Sequence, residues 1–345
     1  MILMGTGPFA VPSFEAIRAA GHEIALVVTR PMPPIKSRGG PPPSPVRDWA
    51  NEHDLPLWDP ASINDDAAIE QLVETQSDLM VVCDYGQILK PDALAAARWG
   101  GINLHGSLLP AYRGAAPVQR ALLSGDSETG VSVIHMTPRL DGGPIVTSAT
   151  TAILPTETSG ELEERLSAIG VDATMQAIEI LQAKLADHSW GDALPLVGEP
   201  QDKSLISKAP RLSKAEAEID WTKSAREIDC LVRGMQPWPV AFTFVKTNPD
   251  KPAIRVAIKR VRIESATELA EADSDQTADN SDIDNSDMIA GQLLHCEPKN
   301  KVAVATGDGV IVIERLQPAG KKEMDAAEFI RGHRLTPGTQ FGVPK

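Results

Sequence analysis

The chain has 345 residues, enough for two domains, of which 42% are hydrophobic and 23% charged; these values exclude disordered, collagenous and coiled-coil classes. Its longest apolar runs fall far short of the ~18–20 residues of a membrane span, and Met1-Ile-Leu-Met-Gly5 lacks the basic flank of a signal peptide. The three isolated cysteines, Cys83, Cys230 and Cys296, supply neither a disulfide framework nor a paired-cysteine zinc site, so a reducing cytoplasm is the expected location and no metal is expected.

The net charge of −14 argues against a nucleic-acid partner only as an average. Residues 1–204 carry 13 Lys+Arg against 26 Asp+Glu, whereas residues 205–263 carry 12 against 6 and residues 289–345 carry 8 against 6. Between the last two stretches, residues 264–287 hold nine acids and no base. A basic module therefore surrounds an acidic insert.

In chain order, Ile2 to Met4 reads as a short strand, followed by a helix through Phe14 and Ile17 and a buried strand over 23–29. Residues 30–43 are too rich in Pro and Gly for a regular element. Ser44-Pro45 restarts a helix. Strands are expected at 78–84, 101–105 and 131–137, and helices at 91–99 and 117–124, which is the alternation of a parallel α/β sheet. Thr158-x-x-Glu161 is a capping box ahead of an apolar stripe through Leu162, Leu166, Ile169, Ala173 and Ile178. After about residue 194 the rhythm changes. Ser224-x-x-Glu227 caps a helix that stops at Pro237-Trp-Pro239, and short strands follow at 241–245, 254–263, 291–295, 302–305 and 310–314, with an Asp308-Gly309 hairpin between the last two. The expected organisation is a catalytic domain at 1–190, a linker at 191–210, a small β-barrel domain at 211–330 with an acidic insert at 264–288, and a tail at 331–345.

Gly5-x-Gly7 after a strand matches part of a dinucleotide-binding fingerprint, but Thr29-Arg30 replaces the acid expected at the end of the second strand. No NAD(P) is expected, and the glycines are read as close strand–helix packing. Asn103-Leu104-His105 is more informative. Strand period puts Asn103 and His105 on one face at the carboxyl end of a strand, where open α/β sheets hold ligands. An amide beside an imidazole offers a donor for a developing oxyanion and a group to manage a proton. Asp141-Gly-Gly143 follows the next strand, close enough for its carboxylate to approach His105. Each of these also has a structural reading, and together they define a polar site suited to acyl or amine chemistry.

The run Asn103-Leu-His-Gly-Ser-Leu-Leu-Pro-Ala-Tyr-Arg-Gly-Ala-Ala-Pro117, followed by Asp141, resembles the 10-formyltetrahydrofolate-dependent formyltransferases. Met4-Gly-Thr-Gly-Pro-Phe-Ala-Val-Pro12, Asp84-Tyr-Gly-Gln-Ile-Leu89, Ile219-Asp-Trp221, Gln236-Pro-Trp-Pro239 and Leu316-Gln-Pro-Ala-Gly-Lys-Lys322 are similar to segments of the branch whose acceptor is initiator methionyl-tRNA. The resemblance implies a Rossmann-like formyltransferase domain followed by a barrel related to the oligonucleotide-binding fold. It implies catalytic Asn103, His105 and Asp141. It further implies folate contacts from Ser107, Leu108, Leu109 and Pro110, and a pterin-pocket wall formed by Tyr85, Gly86, Gln87, Ile88 and Leu89.

For tRNA, the resemblance and the local charge together point to Lys36, Arg38, Arg226, Arg233, Lys321 and Lys322, in a protein expected to act as a monomer. Three departures from the family's pattern stand out, one being the acidic insert at 264–287, which would repel phosphate across a tRNA face and is expected to project elsewhere. The loop at 31–40 keeps Lys36 and Arg38 in an altered register, and Asp84 stands where a small neutral residue is more usual. The competing expectations are formyl transfer to another amine, such as an amino-sugar nucleotide, and a formyl-folate hydrolase or binding protein.

Overall fold

The apolar runs of the first half assemble into a seven-stranded sheet. A computed structural model describes residues 1–32, 43–247, 252–264, 289–294 and 301–343. The chain divides into two compact units, one of residues 1–118, 127–153 and 161–211, the other of residues 119–126, 154–160 and 212–345. The division does not follow the sequence order, because two short stretches of the first half group with the second.

In the first unit, strands β1 (Ile2–Gly5), β2 (Leu26–Val28), β3 (Leu57–Trp58), β4 (Met80–Cys83) and β5 (Gly101–His105) pair in parallel, in the order β3-β2-β1-β4-β5. Every residue of β1, β2 and β4 is buried, which is why these strands read as continuous apolar runs rather than alternating ones. Ile2, Met4, Val28, Met80 and Val82 pack with Ile63, Leu72 and Ala93 in one core layer.

The sheet is not parallel throughout. β7 (Glu128–His135) pairs antiparallel with β5, and β8 (Ile145–Ala152) pairs antiparallel with β7 to complete it. β8 was not expected, since its IVTSATTA sequence carries small and hydroxylated residues instead of an apolar run. Helices α1 (Val11–Ala19), α2 (Pro45–Glu52), α3 (Asp66–Glu74), α4 (Pro91–Leu94) and α5 (Pro117–Leu123) lie where the breakers and caps allow, α3 being a further element the pattern did not mark. The long helix α6 (Ser159–Leu185) closes on β5 so tightly that a Cβ on Gly170 would stand 2.7 Å from Leu104 Cδ2.

Residues 191–210, expected as a linker, contribute to the first unit up to 210: β6 (Arg113–Gly114) pairs in parallel with β9 (Lys208–Ala209), and Glu199 bridges to Ile145.

In the second unit, the capping box before α7 (Ala225–Gly234) is formed as its sequence predicts: Ser224 Oγ accepts from Glu227 N–H, and the Glu227 carboxylate accepts from Ser224 N–H at 3.0 Å. An antiparallel half-barrel sheet follows, with β10 (Phe242–Val245), β11 (Ile254–Glu264), β13 (Val310–Pro318) and β12 (Val302–Ala305) in that order and β14 (Met324–Asp325) on β13. Gly309, at φ +89°, makes the hairpin between β12 and β13. A register shift around Lys259 on β11 explains why simple alternation did not separate its faces.

Glu264, placed at the start of the acidic insert from sequence, is instead the buried last residue of β11 and is paired with Lys301. The rest of that insert, 265–288, lies outside the described residues. The expected tail contains most of the last turn of α8 (Ala326–His333) and then returns to pack, with Phe341 buried and bridged to Val245.

Candidate active site

At β5 the two faces of one strand have different tasks. Leu104 is buried against α6, while Asn103 and His105 lie on the face that carries Met80 and Val82 on the neighbouring strand, Val82 being aligned with Asn103. His105 is the last residue of the strand, so its ring stands at the carboxyl edge with only 6% of the residue exposed.

Asp141 reaches this ring by an indirect route. Because β7 runs antiparallel, its last residue, His135, pairs with Ile102, three positions back from His105, or about 10 Å along the strand. The loop after β7 therefore starts at the far end of β5 and folds back over the sheet face, bringing Asp141 Oδ1 to 3.9 Å from His105 Nδ1. The sequence pattern places both at one sheet edge; the antiparallel strand is what changes the path.

Three hydrogen bonds hold the loop, and two more brace the glutamine that makes two of them. Asp141 Oδ2 accepts the Gly114 N–H at 2.8 Å. Gln201 Nε2 donates to the carbonyls of Asp141 and Gly143 at 2.8 and 2.7 Å. Gln201 Oε1 in turn accepts from Arg113 Nε and Nη2 at 3.1 and 2.6 Å. Neither Gln201 nor Arg113 was singled out from sequence, since a glutamine in an irregular segment carries no period or motif.

The proton positions on His105 follow from its partners. Nε2 lies 2.9 Å from the Tyr112 carbonyl, which can only accept, so Nε2 carries a hydrogen. Nδ1 then faces the Asp141 carboxylate, and a second proton on the ring would sit between them. Tyr112 itself is held at φ +61°, a conformation few side-chain-bearing residues adopt.

The segment 107–110 is internally braced. Ser107 is fully buried, and its Oγ donates to the Ala111 carbonyl at 2.7 Å. Ser132 Oγ donates to Ser107 O at 2.8 Å and accepts from Leu109 N–H at 3.0 Å. Leu109 is buried too, leaving Leu108 and Pro110 as the partly open residues of the four.

In the loop at 85–89, Tyr85 and Leu89 point into the core layer, and burial pushes the Tyr85 hydroxyl up to about 12. Gln87 accepts from Ile63 N–H and donates to Pro60 O. Gly86 and Ile88 are exposed, Ile88 by 59%, so they form the outward surface of this loop.

The Gly5-x-Gly7 turn is already occupied. The Gly7 N–H is hydrogen-bonded by Asp84, whose Oδ2 would stand 2.1 Å from any Cβ at position 7. A phosphate-cradling turn must leave such amides open to its ligand. Among the described residues, no group of three or more His, Cys, Asp or Glu is arranged to hold a metal ion.

The basic residues separate into two kinds. Arg226 is exposed, with Nη2 donating to Gly125 O, and Lys321 and Lys322 are exposed at the turn before β14. Arg233 is different: its guanidinium, 15% exposed, pairs with Asp229 at 2.8 Å and donates to Glu157 O, so it acts inside the unit. Lys36 and Arg38 lie outside the described residues.

A Rossmann-like sheet followed by an antiparallel half-barrel unit is the architecture of a formyl-group transferase. The chain belongs to the formyl transferase family, matching the formyl transferase domain over residues 1–178 and the formyl transferase C-terminal domain over residues 211–334. Along its whole length it is similar to the methionyl-tRNA formyltransferase of Rhodopirellula baltica, with 63% identity over 347 residues, covering 99% of this chain and 96% of that protein. The corresponding enzyme of Methylococcus capsulatus is 38% identical over 343 residues, covering 99% of each. Among solved structures, the N-formyltransferase of Helicobacter canadensis in complex with folinic acid and dTDP-3-aminofucose shares the fold, with a TM-score of 0.60 at 15% identity, covering 90% of this chain and 97% of that one.

Proposed function

We propose that this enzyme transfers the formyl group of 10-formyltetrahydrofolate to the α-amino group of initiator methionyl-tRNA, as a monomer in the cytoplasm. The observation that carries the chemistry is the His105 ring held between the Tyr112 carbonyl and the Asp141 carboxylate, beside Asn103 on the same strand face. The full-length similarity to methionyl-tRNA formyltransferases supports the choice of acceptor over an amino-sugar nucleotide.

In this reading the neutral α-amine attacks the formyl carbon, and the carbonyl oxygen takes up negative charge. The Asn103 amide and the Nε2–H of His105 are the donors for that oxyanion. Because Nε2–H is engaged by Tyr112 O, exchange of this carbonyl for the oxyanion is the rearrangement the ring has to make. Asp141 supports the second ring proton. As the tetrahedral intermediate collapses, the bond from carbon to N10 of the folate breaks. N10 receives a proton, and the amine loses one, with His105 placed to pass it on.

The segments 107–110 and 85–89 would line the folate, chiefly through Leu108, Pro110, Gly86 and Ile88. Arg226, Lys321 and Lys322 are the described candidates for phosphate contact, with Lys36 and Arg38 expected to add to them. The test is single-turnover transfer of labelled formyl to initiator and elongator methionyl-tRNA, with an amino-sugar nucleotide as a third acceptor. Fast transfer to the initiator alone, reduced about 10²–10³-fold in Asn103→Ala with unchanged melting, is the expected result. Preferential transfer to the sugar nucleotide would overturn the assignment of acceptor.

A further inference from the structure

Asp84 is the charged group at this site that the transfer chemistry does not use. It follows the last residue of β4 and sits at φ +49°, which ends the strand and turns the chain out at its carboxyl edge. Val82 aligns with Asn103, the last such pair of β4 and β5, so Asp84, two residues on, and His105, the last residue of β5, stand at the same carboxyl edge of neighbouring strands. On its other side lies β1, where Gly5 aligns with Cys83 and the Gly7 N–H binds the Asp84 carboxylate.

That contact depends on the glycine. A Cβ at position 7 would stand 2.1 Å from Asp84 Oδ2, so Gly7 and Asp84 are a matched pair. The residue is exposed to solvent, yet surrounding protein crowds its carboxyl group and raises its pKa, while the Gly7 hydrogen bond and the charge of Arg211 oppose that rise. Burial raises the pKa of the neighbouring Cys83 thiol, and the charges of Asp84 and Glu163 add to that rise.

Two consequences follow for an incoming acceptor. The Gly-x-Gly turn, which in other α/β sheets receives a phosphate on its amides, is taken by the chain's own carboxylate. An anionic group would also meet a like charge there. An ammonium group would meet a fixed acceptor of hydrogen bonds next to His105.

We infer that Asp84, anchored on Gly7, is a specificity-determining residue that docks the α-ammonium group of the acceptor beside His105 and turns away acceptors that would place a phosphate at this edge. The inference rests on the reading of the site as an amine formyltransferase and adds a residue that selects the charge of the amine end. The docked ammonium releases one proton to solvent before attack, so the role is recognition and not the transfer step.

The test compares binding of methionyl-tRNA with that of its α-hydroxy counterpart, in which a neutral hydroxyl replaces the ammonium, on the full-length wild-type chain, Asp84→Asn and Gly7→Ala. Asp84→Asn is isosteric and can keep the Gly7 contact; Gly7→Ala leaves the charge and displaces it. A charge-assisted hydrogen bond predicts that the wild type prefers the ammonium form by about tenfold or more, and that both variants lose most of that preference while melting as the wild type does. A wild type that binds both forms alike, or an Asp84→Asn chain that keeps the preference, overturns the inference. Formyl transfer by the wild type is read separately. Intact transfer without a charge preference removes Asp84 from recognition and leaves the function standing, whereas absent transfer removes the function itself.

Discussion

Replacing Gln201 by methionine deletes a side chain that touches no substrate in our reading yet sets the position of Asp141. The change nearly conserves volume and removes two donated hydrogen bonds, to the carbonyls of Asp141 and Gly143, and the acceptor of Arg113. Each neutral bond is worth about 0.5–1.5 kcal/mol net, and water can replace part of what the half-buried Arg113 loses, so the local cost is about 1–3 kcal/mol. It falls on the loop after β7, which has to travel back along β5 to bring the carboxylate to His105. A displacement of ~1 Å in such a group costs on the order of 10² in rate. Single-turnover formyl transfer at saturating folate and tRNA should therefore fall about 10–100-fold, with tRNA affinity unchanged. Transfer within twofold of the wild type would refute the argument that Gln201 holds the catalytic loop.

Three further outcomes can be checked. His135 is buried, its Nε2 donating to Trp99 O and its Nδ1 accepting from Val197 N–H, and burial lowers its pKa. The unfolded chain then takes up this proton first as pH falls below about 6.5, so its contribution to stability is complete above that pH and is lost from there toward the lower folded value; melting curves from pH 7.5 to 5 should show the loss, and His135→Gln should flatten it. Ser132→Ala leaves the buried Leu109 N–H without its acceptor, which costs about 1–3 kcal/mol and should appear as a lower denaturation midpoint with an unchanged slope. Lys321→Ala with Lys322→Ala should reduce the slope of tRNA affinity against log salt by about 0.9 for each phosphate that is no longer neutralised, while Arg233→Ala should lower stability and leave that slope alone.

Most of the fold could be read from the chain because local signals and tertiary demands agree in it. The buried parallel strands are apolar on both faces, and the capping box at Ser224 and Glu227 forms as its spacing predicts. Asn103 and His105 are legible for the same reason, since strand period alone places them together. Features that depend on long-range geometry are hidden. β8 has too few apolar residues to announce itself, and the direction of β7 follows from pairing rather than composition. Gln201 supports Asp141 across 60 positions in sequence. Arg233 looks like one more basic residue because its ion pair with Asp229 becomes visible only on the helix. Asp84 stands out as a departure from the family's pattern, but its bond to Gly7 emerges only when β1 and β4 lie side by side.

The grouping of residues 119–126 and 154–160 with the C-terminal unit bears on how such a protein can be taken apart. Within that unit, a Cβ at Gly234 on α7 would stand 2.8 Å from Leu123, and Ser159 Oγ donates to Gly234 O at 3.0 Å. A cut after residue 211 would leave these stretches on the wrong fragment, exposing Leu122 and Leu123 and stripping Ser159 of its acceptor. The C-terminal half is thus not an interchangeable cassette joined by a tether. Exchanging it for that of a relative would also require the two matching patches from the donor's first half, and proteolysis near 211 should yield pieces that stay together until denatured.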